Sequence, residues 1–333
     1  MRKTALHTVR EGARPAAGDS AELIEVRLTA VRFAAENTNF YEFRLPGGGP
    51  LPAAGPGAHI DLHLADGLVR QYSLVSTGPR PDCYCVGVKR DPRSRGGSTF
   101  VHDRLRVGDR LRVSRPRNNF PLEETAAHTV FIAGGIGITP IWSMIQRLEE
   151  LGRAWQLHYS CRTRQEAVLL EPLAACGQVV FNFDDENGGA FLDMEAIVGA
   201  APAGTHFYCC GPAPMLASFE AAAARLPREQ VHVEHFSAVQ AAATDGGFIL
   251  ELARSGLELQ ILPGRSILET LRDHGVDVNC SCEQGLCGVC ETDVLAGVPD
   301  HRDSVLTDAE RAAGTKMMIC CSGSKTDRLV LDI

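Results

Sequence analysis

CEQGLCGVC, Cys282 to Cys290, sets three thiols in the spacing Cys-x4-Cys-x2-Cys, and a further cysteine, Cys320, follows 30 positions later. This is the plant-type spacing for a [2Fe–2S] cluster held by four thiolates. One loop can wrap a flat two-iron cluster only where its backbone comes close to the sulfides, and Gly285 and Gly288 between the ligands permit that approach. Zinc is the rival occupant, because thiolates suit both metals. A zinc ribbon supplies two CxxC pairs, however, and only Cys287/Cys290 is one here. The reading is iron–sulfur, with Cys282, Cys287, Cys290 and Cys320 as ligands. Cys280 and Cys321 are read as small buried packing residues; Cys321 cannot simply replace Cys320, since neighbours in a strand face opposite ways.

Around this loop, residues 247–333 carry two expected strands (FILELAR, LELQILP), a short helix (SILETLRDHG) and a closing strand (RLVLDI), which suit a small α+β, β-grasp-like ferredoxin domain. A linker of small side chains, 239–246, precedes it. From 124 to 238 continuous apolar runs (HTVFIAGG, WQLHYSC, QVVFNF, HFYCCG) alternate with helical stretches such as IWSMIQRLEELG. That rhythm indicates a parallel sheet covered on both faces, a doubly wound α/β nucleotide domain. From 20 to 123 short alternating runs (ELIEVRLTAVRF, AHIDLHL, RQYSLVS, CYCVGVK) are separated by turn signals, and Pro46, Pro50, Pro52 and Pro56 oppose helices there. An antiparallel β-barrel is expected. Residues 1–19 read as a flexible tail, charged throughout and without the apolar middle of a signal peptide.

The bulk numbers agree with this division. A chain of 333 residues is long enough for two or three domains. No apolar run approaches the ~20 residues that span a bilayer, and a cytoplasmic location is expected. Six of twelve cysteines fall between Cys280 and Cys321, a clustering that suits a metal site better than a disulfide framework. From Asp245 onward there are 8 Lys+Arg against 15 Asp+Glu, a net of −7 out of −8 for the whole chain. No basic block is present, which disfavours nucleic acid. The acidic segment is either a solubility feature or a surface that steers a basic partner.

Two sets of motifs precede the cysteines. In RQYS, Arg70 can fork a phosphate, Tyr72 can lie along a flavin ring and Ser73 can bond near its nitrogens. Gly96-Gly97-Ser98 opens a short helix whose backbone N–H groups suit phosphate. Lys89, Arg90, Arg93 and Arg95 around it are a cationic or merely solvated loop. In HTVFIAGGIGITP, the glycines Gly134, Gly135 and Gly137 let a dinucleotide pass close to the backbone. Thr139 is expected to cap the following helix, with Pro140 in its first turn. A second strand ends at Cys210-Gly211-Pro212, and two such turns at the carboxyl ends of strands form one crevice.

The combination RQYS, GGS, AGGIGITP, CCGP and CEQGLCGVC resembles the phthalate dioxygenase reductase family, which also includes vanillate demethylase reductases. The likeness runs over about 20–333 and extends to SRPRNNFPL, VEHF, RSILE and DHRDSVLTDAE. It implies the order FMN barrel, NADH domain, plant-type ferredoxin, with electrons passed to a Rieske-type oxygenase. Carried over by position, Arg70, Tyr72, Ser73, Gly97 and Ser98 look like FMN contacts. Phe236 looks like the aromatic over the flavin ring, and Cys210 like the residue beside the nicotinamide. Arg162 and Arg164 in CRTRQEA depart from the pattern, since arginine there can pair with a 2′-phosphate. The family implies NADH. The cofactors carry the redox chemistry, so no His or carboxylate catalyst is expected. The alternatives are a reductase for a diiron or haem monooxygenase, or a non-catalytic iron–sulfur electron carrier.

Overall fold

The computed structural model describes residues 23–92 and 94–333; the tail 1–19 and Arg93 lie outside the described residues. Strands β1 (Ile24–Ala35), β2 (Thr38–Arg44), β3 (His59–His63), β4 (Val69–Ser73), β5 (Tyr84–Lys89) and β6 (Arg110–Val113) form one antiparallel sheet in the order β4-β3-β6-β1-β2-β5. A bridge between Leu74, just past β4, and Val86 of β5 brings the sheet edges together, as a barrel requires. The alternation read from the sequence is the reason: Val26, Leu28, Phe43, Ile60, Leu62 and Val86 are all fully buried inside. Among the described residues no helix is long and apolar enough to cross a membrane.

Strands β7 (His128–Gly134), β8 (Ala154–Cys161), β9 (Val179–Phe183), β10 (His206–Cys210) and β11 (Val231–Glu234) make a parallel sheet in the order β11-β10-β7-β8-β9. The order reverses between β7 and β10, so their carboxyl ends flank the crevice of a doubly wound sheet. The helix Ile138–Leu151 buries Ile141, Met144, Ile145 and Leu148 on this sheet and ends at Gly152, whose φ is 63°.

The C-terminal sheet is mixed. Phe248–Leu252 pairs antiparallel with Leu257–Ile261 and parallel with Arg328–Leu331, as the strand pattern and closing strand suggested. The helix Ile267–Asp273 starts with a capping box between Ser266 and Glu269. Two further strands, Glu291–Ala296 and Lys316–Met318, and the helix Asp308–Ala313 had not been foreseen. Glu291–Ala296 keeps only Val294 buried, which is too weak an alternation to register as a strand.

Candidate redox site

A cavity of about 370 Å³ opens where the three sheets meet. The barrel lines it with Arg70, Tyr72, Ser73, Lys89 and Ser98, the parallel sheet with Ile136, Thr139, Glu234 and Phe236, and the cysteine loop with Cys282 and Leu286. Residues chosen from three separate motifs thus share one space.

On the barrel side the local chemistry suits an anion beside a flat ring. The Arg70 guanidinium donates to the carbonyls of Val69 (2.7 Å) and Arg95 (2.8 Å), which fixes its position at the cavity wall. Its stem lies on Gly97, where a Cβ would meet Arg70 Cγ at 2.5 Å, so Gly97 shapes this wall from behind. Burial, with Arg95 nearby, pushes the Arg70 pKa down, the signature of a cation short of counter-charge. Ser98 Oγ accepts from the Asp91 amide at 3.1 Å and holds the helix start in place. Lys89 Nζ lies 2.6 Å from Glu166 Oε2 and ties the barrel to the parallel sheet. Tyr72 is half-buried, and desolvation keeps its hydroxyl well above the usual range. Phe236 sits at the rim, two residues past β11 and 42% exposed.

The two glycine turns meet in the neighbouring crevice. A Cβ on Gly137 would lie 2.1 Å from the Cys210 carbonyl oxygen, and one on Gly134 would lie 2.5 Å from Pro212 Cδ. Gly211 in turn would strike Met215 Sδ at 2.8 Å. Gly135, with φ of 53°, has open space around its missing Cβ. Thr139 does not cap the helix. A 3-10 turn over Gly135–Gly137 runs straight into it, so the helix begins at Ile138 and the Thr139 hydroxyl donates back to the Ile136 carbonyl at 2.9 Å. Pro140 does stand in the first turn.

Cys210 is fully buried and does not line the cavity; its thiol lies 3.9 Å from Glu234 Oε2. Glu234 was missed by the sequence reading. Desolvation raises its carboxyl to about 8, opposed by the Cys210 hydrogen bond, although the side chain is only half-buried and borders the cavity. The available signal was an acidic residue at the carboxyl end of a strand, next to Phe236. Arg164 is already engaged: it forks Glu186 at 2.9 and 2.8 Å and covers the Phe183 ring at 4.4 Å.

At the far end of the cavity the four chosen cysteines are all buried. Glu283, with φ of 56°, and Gly285, with φ of 69°, curl the loop so that its amides face sulfur. Gln284 and Leu286 donate to Cys282 Sγ, and Gly285 to Cys320 Sγ, each at 3.3 Å. Hydrogen bonds from Cys287 and Cys320, with those amides, lower the Cys282 thiol strongly. Gly285 has no room for a side chain: a Cβ would sit 2.5 Å from Cys321 Sγ and 2.8 Å from Asp303 Cα. Buried sulfurs facing backbone donors, with no hard oxygen ligand among them, fit a thiolate-bound iron–sulfur group. The sulfurs of Cys280, Cys290 and Cys320 lie within 4.8 Å of one another, so Cys280, read as packing, crowds the ligand group itself. Cys321 Sγ is instead occupied with the Met318 carbonyl at 3.7 Å.

The fold and this site define an electron-transfer oxidoreductase that joins a flavin, a pyridine nucleotide and its own ferredoxin domain. Residues 250–324 match the 2Fe-2S iron-sulfur cluster binding domain. The chain is 53% identical to the phenoxybenzoate dioxygenase subunit beta of Ectopseudomonas oleovorans over 93% of its own length and 97% of the relative's. Among solved structures it is similar to phthalate dioxygenase reductase, a modular structure for electron transfer from pyridine nucleotides to [2Fe–2S]. That likeness has a TM-score of 0.72 and 35% identity, over 94% of this chain and 98% of the other. It is also similar to a type IV self-sufficient cytochrome P450 monooxygenase (TM-score 0.83, 35% identity, 96% of this chain), spanning 43% of that longer protein. The chain belongs to the phthalate dioxygenase reductase family.

Proposed function

We propose that this chain is the NADH-dependent reductase component of a Rieske-type oxygenase, working in the cytoplasm. When bound, FMN and a [2Fe–2S] cluster would supply the redox chemistry, turning hydride from NADH into single electrons for the oxygenase, and the residues below would hold and orient them. The observation that carries the reading is the single cavity that reaches from Arg70 and Ser98, through Tyr72 and Phe236, to Cys282. Arg70, Gly97 and Ser98 hold the FMN phosphate end, and Lys89 closes that wall. Tyr72 and Phe236 flank the ring, and Ser73 bonds its edge. Gly134, Gly135, Gly137, Gly211 and Pro212 let the dinucleotide backbone pass, while Cys210 and Glu234 stand behind the nicotinamide. Cys282, Cys287, Cys290 and Cys320 are the cluster ligands. The domains are then 20–123, 124–238 and 247–333, joined by the linker 239–246.

The family resemblance favours NADH, and the exposed Arg164–Glu186 ion pair supports it by occupying one of the two arginines that could meet a 2′-phosphate. A haem monooxygenase partner is the second reading, favoured by the likeness to the self-sufficient P450. The deciding experiment is reconstitution of the holoprotein with a purified Rieske oxygenase and, separately, a haem monooxygenase. NADH-driven product formation with the Rieske enzyme is expected. Preference for NADPH, or turnover confined to the haem enzyme, overturns the corresponding part.

A further inference from the structure

In AHIDLHL the even positions Ile60 and Leu62 fill the barrel core, which sends Asp61 to the other face. That face is not water: Asp61 is only 2% exposed. A carboxylate so placed is costly unless every lone pair has a donor. Oδ1 receives Arg117 Nη2 at 2.7 Å and Gln71 Nε2 at 3.2 Å, both from the barrel. Oδ2 receives the Ser281 hydroxyl at 2.6 Å, from a residue 220 positions away. Ser281 is buried and immediately precedes Cys282. Two residues beyond Arg117, Asn119 Nδ2 donates to the Cys287 carbonyl at 3.3 Å, on the other side of the same loop. The segment SRPRNNF thus supplies one grip directly and one through Asp61.

We propose that Asp61 is a positioning residue: with Arg117 it clamps the cysteine loop, through Ser281, onto the cavity wall and so fixes the gap across which electrons leave the flavin. The inference rests on the flavin and cluster sites proposed above. Arg117 and Gln71 both serve Oδ1, so the donor on Oδ2 comes from the cysteine segment, and the barrel carboxylate is completed only when that segment is docked. The contact joins the barrel to the cluster-bearing loop by a short charge-assisted bond. Its loss should raise the opening of that loop by about tenfold to a hundredfold.

The test uses holoprotein variants Ser281→Ala, Ser281→Thr, Asp61→Asn and the double variant Asp61→Asn/Ser281→Ala. Hydrogen exchange is followed over the loop amides 281–290, and stopped flow separates flavin reduction by NADH from cluster reduction. Ser281→Ala is expected to speed exchange of the loop about tenfold or more and to slow cluster reduction, with flavin reduction unchanged. Ser281→Thr, which keeps the hydroxyl, should restore the parent values, and the double variant should be no worse than either single one. Loop exchange and cluster reduction at parent rates in Ser281→Ala overturn the clamp, as does equal slowing of both steps. If Asp61→Asn does not fold, the Ser281 pair decides, because Ser281 lies outside the barrel. Exchange needs no flavin reduction, so the clamp is judged even if NADH fails to reduce the protein, a result that would count against the flavin reading alone.

Discussion

Gly137→Ala is the perturbation whose size the geometry states most directly. Gly137 has φ of −60°, so alanine is conformationally welcome there, and any penalty must be steric. The new Cβ would lie 2.1 Å from the Cys210 carbonyl oxygen, 2.6 Å from its carbon and 3.0 Å from Gly211 N. All three are backbone atoms, without a rotamer to swing aside. An ordinary carbon–oxygen contact is about 3.3 Å, so the two turns must part by about 1.2 Å or the helix must shift. Overpacking of this kind costs about 1–3 kcal/mol. The displacement falls where nucleotide and flavin must be aligned, and a misplacement of about 1 Å can cost about 100-fold in rate. Gly152→Ala, at the C-terminal end of the same helix and away from the crevice, is the control: its Cβ meets nothing within 4 Å, but φ of 63° costs about 1–2 kcal/mol of backbone strain. The two variants should therefore lose similar stability by thermal unfolding. Flavin reduction by NADH should fall about 100-fold in Gly137→Ala and much less in Gly152→Ala. Equal rates in the two would refute the steric account of the crevice.

Cys287→Ser should remove the iron–sulfur absorbance while leaving flavin bound and reducible, and Cys321→Ser should keep the iron, since Cys321 faces the Met318 carbonyl; iron loss in the latter would show that the fourth ligand is misassigned. Glu234 has its folded pKa raised from 4.5 to about 8, so the folded state holds a proton that the unfolded state has lost over that window. Stability of the parent should therefore fall as pH rises from 4.5 to 8 and level off above it. Glu234→Gln should flatten that slope in thermal unfolding, and parallel curves would count against the raised carboxyl. The net of −7 from Asp245 onward predicts that electron delivery to the oxygenase slows as salt rises, whereas flavin reduction responds little. Equal salt dependence of the two steps would make the acidic residues a solubility feature.

Much was legible in the chain itself because the deciding signals are local. Three of the four proposed cluster ligands sit on one loop of nine residues, so their spacing alone carries the geometry. Alternation in β1 to β5 and continuous apolar runs in β7 to β10 each report a neighbourhood that a strand meets along its own length. Thr139 was misread because a 3-10 turn over Gly135–Gly137 brings the helix forward, and cap position depends on where the first helical bond closes. What only the tertiary structure decided are the meetings of distant atoms. Asp61 and Ser281 lie 220 positions apart, and neither residue type announces the other. The Cys280 sulfur comes within 4.8 Å of those of Cys290 and Cys320, and the Cys321 thiol reaches the Met318 carbonyl, only once the chain is folded. The desolvation that raises the Glu234 carboxyl at the end of β11 likewise exists only in the folded chain. Spacing along the chain records chemistry within a loop; desolvation and contact across domains exist only once the chain has closed on itself.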